Sequence, residues 1–153
     1  MNRKILVLGV GNYLMGDEGL GVHFAKQFQE EELPDGVTVL DGGTAGFQLM
    51  EYLESHPLVI MIDATLDHNP PGTIRMIEPR FATDFPRAMS THEIGLKDLV
   101  ESLVLINRLP KIYLFVVSIA NLSQLQVTLS PEVEQALVQL KQRVRQLIDQ
   151  HLD

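Results

Sequence analysis

The chain has 153 residues, 45% of them apolar and 21% charged, with a net charge of -8 at pH 7 and no cysteine. That length fits one domain (1–153), and the apolar share is enough for a substantial core. The acidic balance repels phosphate backbones and argues against nucleic acid as a partner. The lack of cysteine excludes disulfides and thiolate metal ligands from within the chain, and it favours a cytoplasmic setting.

The chain opens on basic residues, Met1-Asn2-Arg3-Lys4, followed by an apolar run at 5–8. Gly9, Gly11 and Asn12 interrupt that run and Asp17-Glu18 follow, so it reads as a first buried strand and not as a secretory leader. No later apolar stretch approaches the roughly 20 residues that span a bilayer, so no membrane partner is expected. An uninterrupted apolar run suits a central strand of a parallel sheet, buried on both faces. Residues 37–40, 58–62 and 112–117 repeat the pattern. A fifth segment, 72–78, alternates more and lies between Pro70-Pro71 and Pro79, which predicts an antiparallel edge strand.

Helical spacing falls between these runs. From Gly19 to about Glu31, Val22, Ala25 and Phe28 share a face; Phe47, Met50 and Leu53 mark a shorter helix before Pro57. Leu96, Leu99, Val100, Leu103 and Val104 follow the amphipathic stripe. Ser130 is placed to cap the last helix and Pro131 to occupy its first turn, with Val133, Leu137, Leu140, Val144 and Leu147 as its apolar face. Alternating strands and helices predict an α/β fold. The expected form is a three-layer sandwich, a twisted and mostly parallel five-stranded sheet with helices on both faces. Such sheets carry function at the carboxyl ends of their strands.

Polar residues gather at those ends. The first run leads into Gly9-Val10-Gly11-Asn12-Tyr13-Leu14-Met15-Gly16-Asp17-Glu18-Gly19. Glycines there permit tight turns and close backbone approach, and Glu18 falls near a helix N-terminus, where a negative charge is favoured. The plain alternative is that Asp17 caps the helix and Glu18 is a solvated acid. Gly9 and Gly11 supply two glycines of a dinucleotide fingerprint, but Leu14 stands at the third position. The second run ends in Asp41-Gly42-Gly43-Thr44-Ala45-Gly46, equally readable as a capped turn or as a functional loop. The third drives Asp63 straight out of an apolar strand, and a carboxylate in such a place ordinarily meets a cation, a metal or backbone donors. His92 precedes the third helix within Ser90-Thr91-His92-Glu93-Ile94-Gly95-Leu96. Leu96 fills the second histidine position of the zinc-protease pattern, so that motif is absent, and a lone histidine before a helix is more often a cap or a surface residue. Two carboxylates and an imidazole suit a divalent transition metal and leave positions open for a substrate or water.

The motifs G-x-G-N-x-L-x-G-D-E-G-x-G, L-D-G-G-T-A-G, the I-D-A strand end and S-x-H-x-[IL]-G-L, in this order, resemble the [NiFe] hydrogenase maturation proteases, and the likeness resumes at Leu129-Ser130-Pro131. The resemblance implies a cytoplasmic endopeptidase that trims a C-terminal peptide from a nickel-loaded large-subunit precursor; the chain is expected to be a monomer. It implies Glu18, Asp63 and His92 as metal-binding residues and matches Asp41 to the acid of the second motif. On this reading Asp63 and Asp41 are the candidate catalytic acids, and Gly42, Gly43 and Thr44 candidate substrate contacts. Nickel would arrive within the precursor, its partner, with other divalent metals able to substitute in crystals. The competing class is a non-proteolytic module that binds a nucleotide or small ligand.

Overall fold

A computed structural model describes residues 4–85, 93–120 and 125–152. Five strands form one sheet: β1 (Ile5–Val10), β2 (Val37–Gly43), β3 (Leu58–Thr65), β4 (Ile74–Ile77) and β5 (Lys111–Ser118). Their order is β2-β1-β3-β5-β4. The β1–β2, β1–β3 and β3–β5 pairs are parallel, and β4 closes one edge antiparallel to β5. The helices are α1 (Leu20–Phe28), α2 (Met50–Ser55), α3 (Glu93–Leu105) and α4 (Pro131–Leu152), with short 3-10 turns at Gly16–Gly19 and Phe47–Leu49 leading into α1 and α2.

Side-chain alternation along the strands divides the interior in two. Ile5, Val7, Ile60, Ile62, Phe115 and Val117 face one way and pack with Phe24 and Phe28 of α1 and Val133, Leu140 and Val144 of α4. Leu6, Leu8, Val59, Met61, Leu114 and Val116 face the other way and meet Leu53 of α2 and Leu96, Leu99, Val100 and Leu103 of α3. The expected three-layer sandwich is therefore the observed one, and the edge strand between the prolines is where it was expected.

Several boundaries differ from the sequence reading. β2 and β3 run past their apolar stretches to include Asp41-Gly42-Gly43 and Asp63-Ala64-Thr65. Parallel pairing does not stop where hydrophobicity does: β3 stays in register with β5 through Thr65 and Ser118. The first helix is also shorter than expected, since residues 16–19 form a 3-10 turn and the helix proper ends at Phe28.

Candidate active site

The carboxyl ends of β1, β2 and β3 lie side by side, with Gly9 paired to Asp41 on one side and to Ile62 on the other. Residues paired across parallel strands point to the same face, and neighbours along a strand point to opposite faces. Asp41 therefore projects toward α1, where Lys26 Nζ approaches its carboxylate to 3.9 Å. Asp63 projects to the α3 side. It is wholly buried, at 0% exposure, and its Oδ1 accepts a 2.7 Å hydrogen bond from the Ala64 N–H.

Glu18 is 7% exposed although it lies in a surface turn. Gly11 explains that burial. It has φ +143°, and a Cβ there would collide with the Glu18 carbonyl, so the loop from β1 lies backbone to backbone against the turn. Gly21 does the same one turn later, against the carbonyls of Val10 and Ile62. The segment carrying Glu18 is thus seated directly on the ends of β1 and β3. The glycines of the first motif serve close contact inside the chain.

Asp17 does not cap α1. Its Oδ1 accepts the Ser130 N–H at 2.8 Å and its Oδ2 the Ser130 hydroxyl at 2.7 Å. Ser130 precedes α4 as expected, but its hydroxyl donates to this carboxylate, which is a stronger acceptor than a neutral group. Two segments of the family-like pattern, far apart in sequence, therefore meet here.

Asp41 is exposed, and its Oδ1 accepts from the Gly43 N–H at 3.0 Å. With Gly43, Thr44, Gly11, Asn12, Tyr13 and Lys26 it lines a shallow cleft of about 340 Å³. Gly42 is buried, and Gly43 has φ +52°. Asp41 and Asp63 lie on either side of β1 and on opposite faces, their strands about 10 Å apart at two interstrand spacings. The structure does not bring these two acids together. His92, the third expected metal-binding residue, lies outside the described residues; α3 begins at the next position. Among the described residues no three His, Asp or Glu side chains gather in a metal-sized cluster.

Two polar residues escaped the sequence reading. Thr65 and Ser118 are 1% and 0% exposed and pair across β3 and β5. By strand alternation they share the face of Asp63. Both end apolar strands as Asp63 does, but neither carries the charge that singled out Asp63. Asp67 follows: burial works to raise its pKa, but the Ser118 hydroxyl, the Asn69 backbone and side-chain amides and Arg75 outweigh it and hold the carboxyl below the usual range. Arg75 Nη2 lies 2.9 Å from Asp67 Oδ2. His23, on α1, stacks on Tyr13 with centroids 4.8 Å apart. Burial lowers its pKa, Lys26 adds to this, and the Val127 backbone, Glu134 and Asp17 oppose it.

Together these features define an α/β sandwich with two buried carboxylates, Glu18 and Asp63, at the carboxyl end of a parallel sheet. The family model described as hydrogenase maturation protease matches residues 22–147, and the chain belongs to that family. It is 35% identical to the Escherichia coli hydrogenase 2 maturation protease over 134 residues, covering 86% of this chain and 82% of that one. It is 38% identical to HupD, a hydrogenase expression/formation protein of Bradyrhizobium diazoefficiens, over 72% of this chain. The chain spans 59% and 50% of the length of the HupD relatives from that organism and from Rhizobium leguminosarum. Among solved structures, the hydrogenase maturating endopeptidase HybD from E. coli superposes with a TM-score of 0.88 at 32% identity, covering 97% of this chain and 93% of that one. Among the described residues no helix is long and apolar enough to cross a membrane.

Proposed function

We propose that this chain is an endopeptidase that removes a C-terminal peptide from the nickel-loaded large-subunit precursor of a [NiFe] hydrogenase. The observation that carries this reading is the burial of Glu18 and Asp63 at the carboxyl end of the sheet, within the frame of the maturation proteases. Hard and borderline divalent cations favour carboxylate and imidazole donors, so the donor set Glu18, Asp63 and His92 fits such an ion. It leaves positions free for ligands from a partner. A metal at this position supplies charge that polarises a carbonyl or a water.

The protein's own residues do the remaining work. Glu18 and Asp63 are buried carboxylates carried on a strand end and a tightly packed turn, so a precursor whose metal they hold has its scissile segment fixed in place at low entropic cost. Asp41 sits at the mouth of the neighbouring cleft. Its position beside Gly42, Gly43 and Thr44 suits contact with an extended peptide more than direct assistance to Asp63, which faces away from it. Asp63 is the candidate acid closest to the reacting group in this scheme.

The reading is tested by incubating nickel-loaded precursor with wild type, Asp63→Asn and His92→Ala and following its mass. Wild type shortens the precursor. Each variant slows cleavage at least about 10- to 100-fold, the range that changes outside the ligand set already reach. Unimpaired cleavage by both variants refutes the site. An unchanged precursor mass with wild type refutes the protease.

A further inference from the structure

Between Glu18 and the last helix lies a connection that the proposed metal site does not itself require. We propose that Asp17 is a positioning residue: held by Ser130 at the start of α4, it fixes the turn that aims the Glu18 carboxylate. This rests on the metal-site reading above.

The turn at Gly16–Gly19 is short, and its backbone alone holds it weakly, since 3-10 hydrogen bonds are poorly aligned. It is gripped from two sides. On the inner side Gly11 lies against the Glu18 carbonyl, and a Cβ on Gly19 would come within 2.8 Å of the Asn12 carbonyl. On the outer side the segment before α4 runs alongside it: Gly16 N–H donates to the Gln126 carbonyl at 2.7 Å, and Gln126 N–H to the Leu14 carbonyl at 2.9 Å. Asp17 then locks this outer contact with both of its oxygens, to the backbone and the hydroxyl of Ser130. The carboxylate lies at the N-terminal end of the 22-residue helix α4, where a negative charge is favoured. Helix α4 is anchored by Val133, Leu137, Leu140, Val144 and Ile148 in the core. The turn is thus tied to a rigid element, and adjacent residues of a 3-10 turn cannot move independently. Groups that orient a ligand without touching the metal change affinity or activity by about 10- to 100-fold.

The test uses the intact chain and cadmium as the probe metal. Cadmium affinity by calorimetry and precursor cleavage are measured for wild type, Asp17→Asn, Ser130→Ala, Ser130→Thr and Glu18→Gln, with Tm for each. Leu53→Ala serves as the control for stability alone, because Leu53 is wholly buried on α2 in the core of the opposite face, away from α4 and the Asp17–Ser130 pair. The inference expects Asp17→Asn and Ser130→Ala to weaken cadmium binding about 10-fold or more. A variant carrying both Asp17→Asn and Ser130→Ala, measured alongside them, should be no weaker than the worse single one, and Ser130→Thr should keep most of the affinity that Ser130→Ala loses. Leu53→Ala should lower Tm and leave cadmium affinity unchanged. Wild-type affinity in both Asp17→Asn and Ser130→Ala, with Glu18→Gln impaired, overturns the inference and leaves the metal site standing. A loss in Leu53→Ala matching that in Asp17→Asn reduces Asp17 to general stability and also overturns it. If Glu18→Gln itself binds cadmium and cleaves like wild type, the metal reading falls and the inference falls with it.

Discussion

At the scale of single residues, backbone contacts are as demanding as the chemical groups. Gly11 is held at φ +143° against the Glu18 carbonyl, a conformation that costs any L side chain on the order of 1–3 kcal/mol before the collision is counted. Gly11→Ala is therefore expected to lower stability by at least that much in urea titrations and to abolish precursor cleavage, because relief of the clash displaces Glu18. His23 gives a pH signature. Burial depresses its pKa below the ordinary 6.5, so the folded state prefers neutral imidazole. This contribution is full above about pH 6.5 and is lost as pH falls through the lower folded-state value. Wild type should then lose Tm between about pH 7 and pH 5 more steeply than His23→Phe, which keeps the ring stack on Tyr13 and cannot titrate; equal slopes would contradict it. Legibility at this scale was uneven. Asp63 announced itself because a carboxylate at the end of an apolar strand is conspicuous. Thr65 and Ser118, buried on the same face, did not, because hydroxyl residues are common in turns and carry no charge to explain. The partnership of Asp17 with Ser130 was beyond local reading, since 113 positions separate them.

At the scale of elements, what was legible follows from period and continuity. The unbroken apolar runs read as central strands because β1 and β3 are covered on both faces, and the stripe of α4 read as a helix because one side of it is buried. The ends were less legible. Hydrogen-bond pairing with a neighbouring strand carries β2 and β3 past their hydrophobic segments, and no local signal records the neighbour. The helix α4 bridges core and site. Leu140 is wholly buried between α4 and the sheet, and Leu140→Ala is expected to cost about 2–5 kcal/mol. Chemical denaturation measures that loss, and a cost under about 1 kcal/mol would mean that α4 is not seated as described.

At the scale of the whole molecule, the two layers of helices leave one edge of the sheet to carry polar chemistry, and the acidic chain gathers Glu18, Asp63 and Asp67 toward it. Arg75 pairs with Asp67, while the proposed cation is assigned to the other two. A ligand that binds only the folded state raises stability by about 2.7 kcal/mol at a hundredfold excess over its Kd. Cadmium should therefore raise the Tm of wild type and leave that of Asp63→Asn unmoved, as calorimetric scans would show. The central claim, that Glu18, Asp63 and His92 grip a single cation, is tested most directly by a crystal structure of the chain soaked in cadmium. The expected result is one ion bound by carboxylate oxygens of Glu18 and Asp63 and a ring nitrogen of His92. An ion seated elsewhere, or bound by only one of the three, would contradict it.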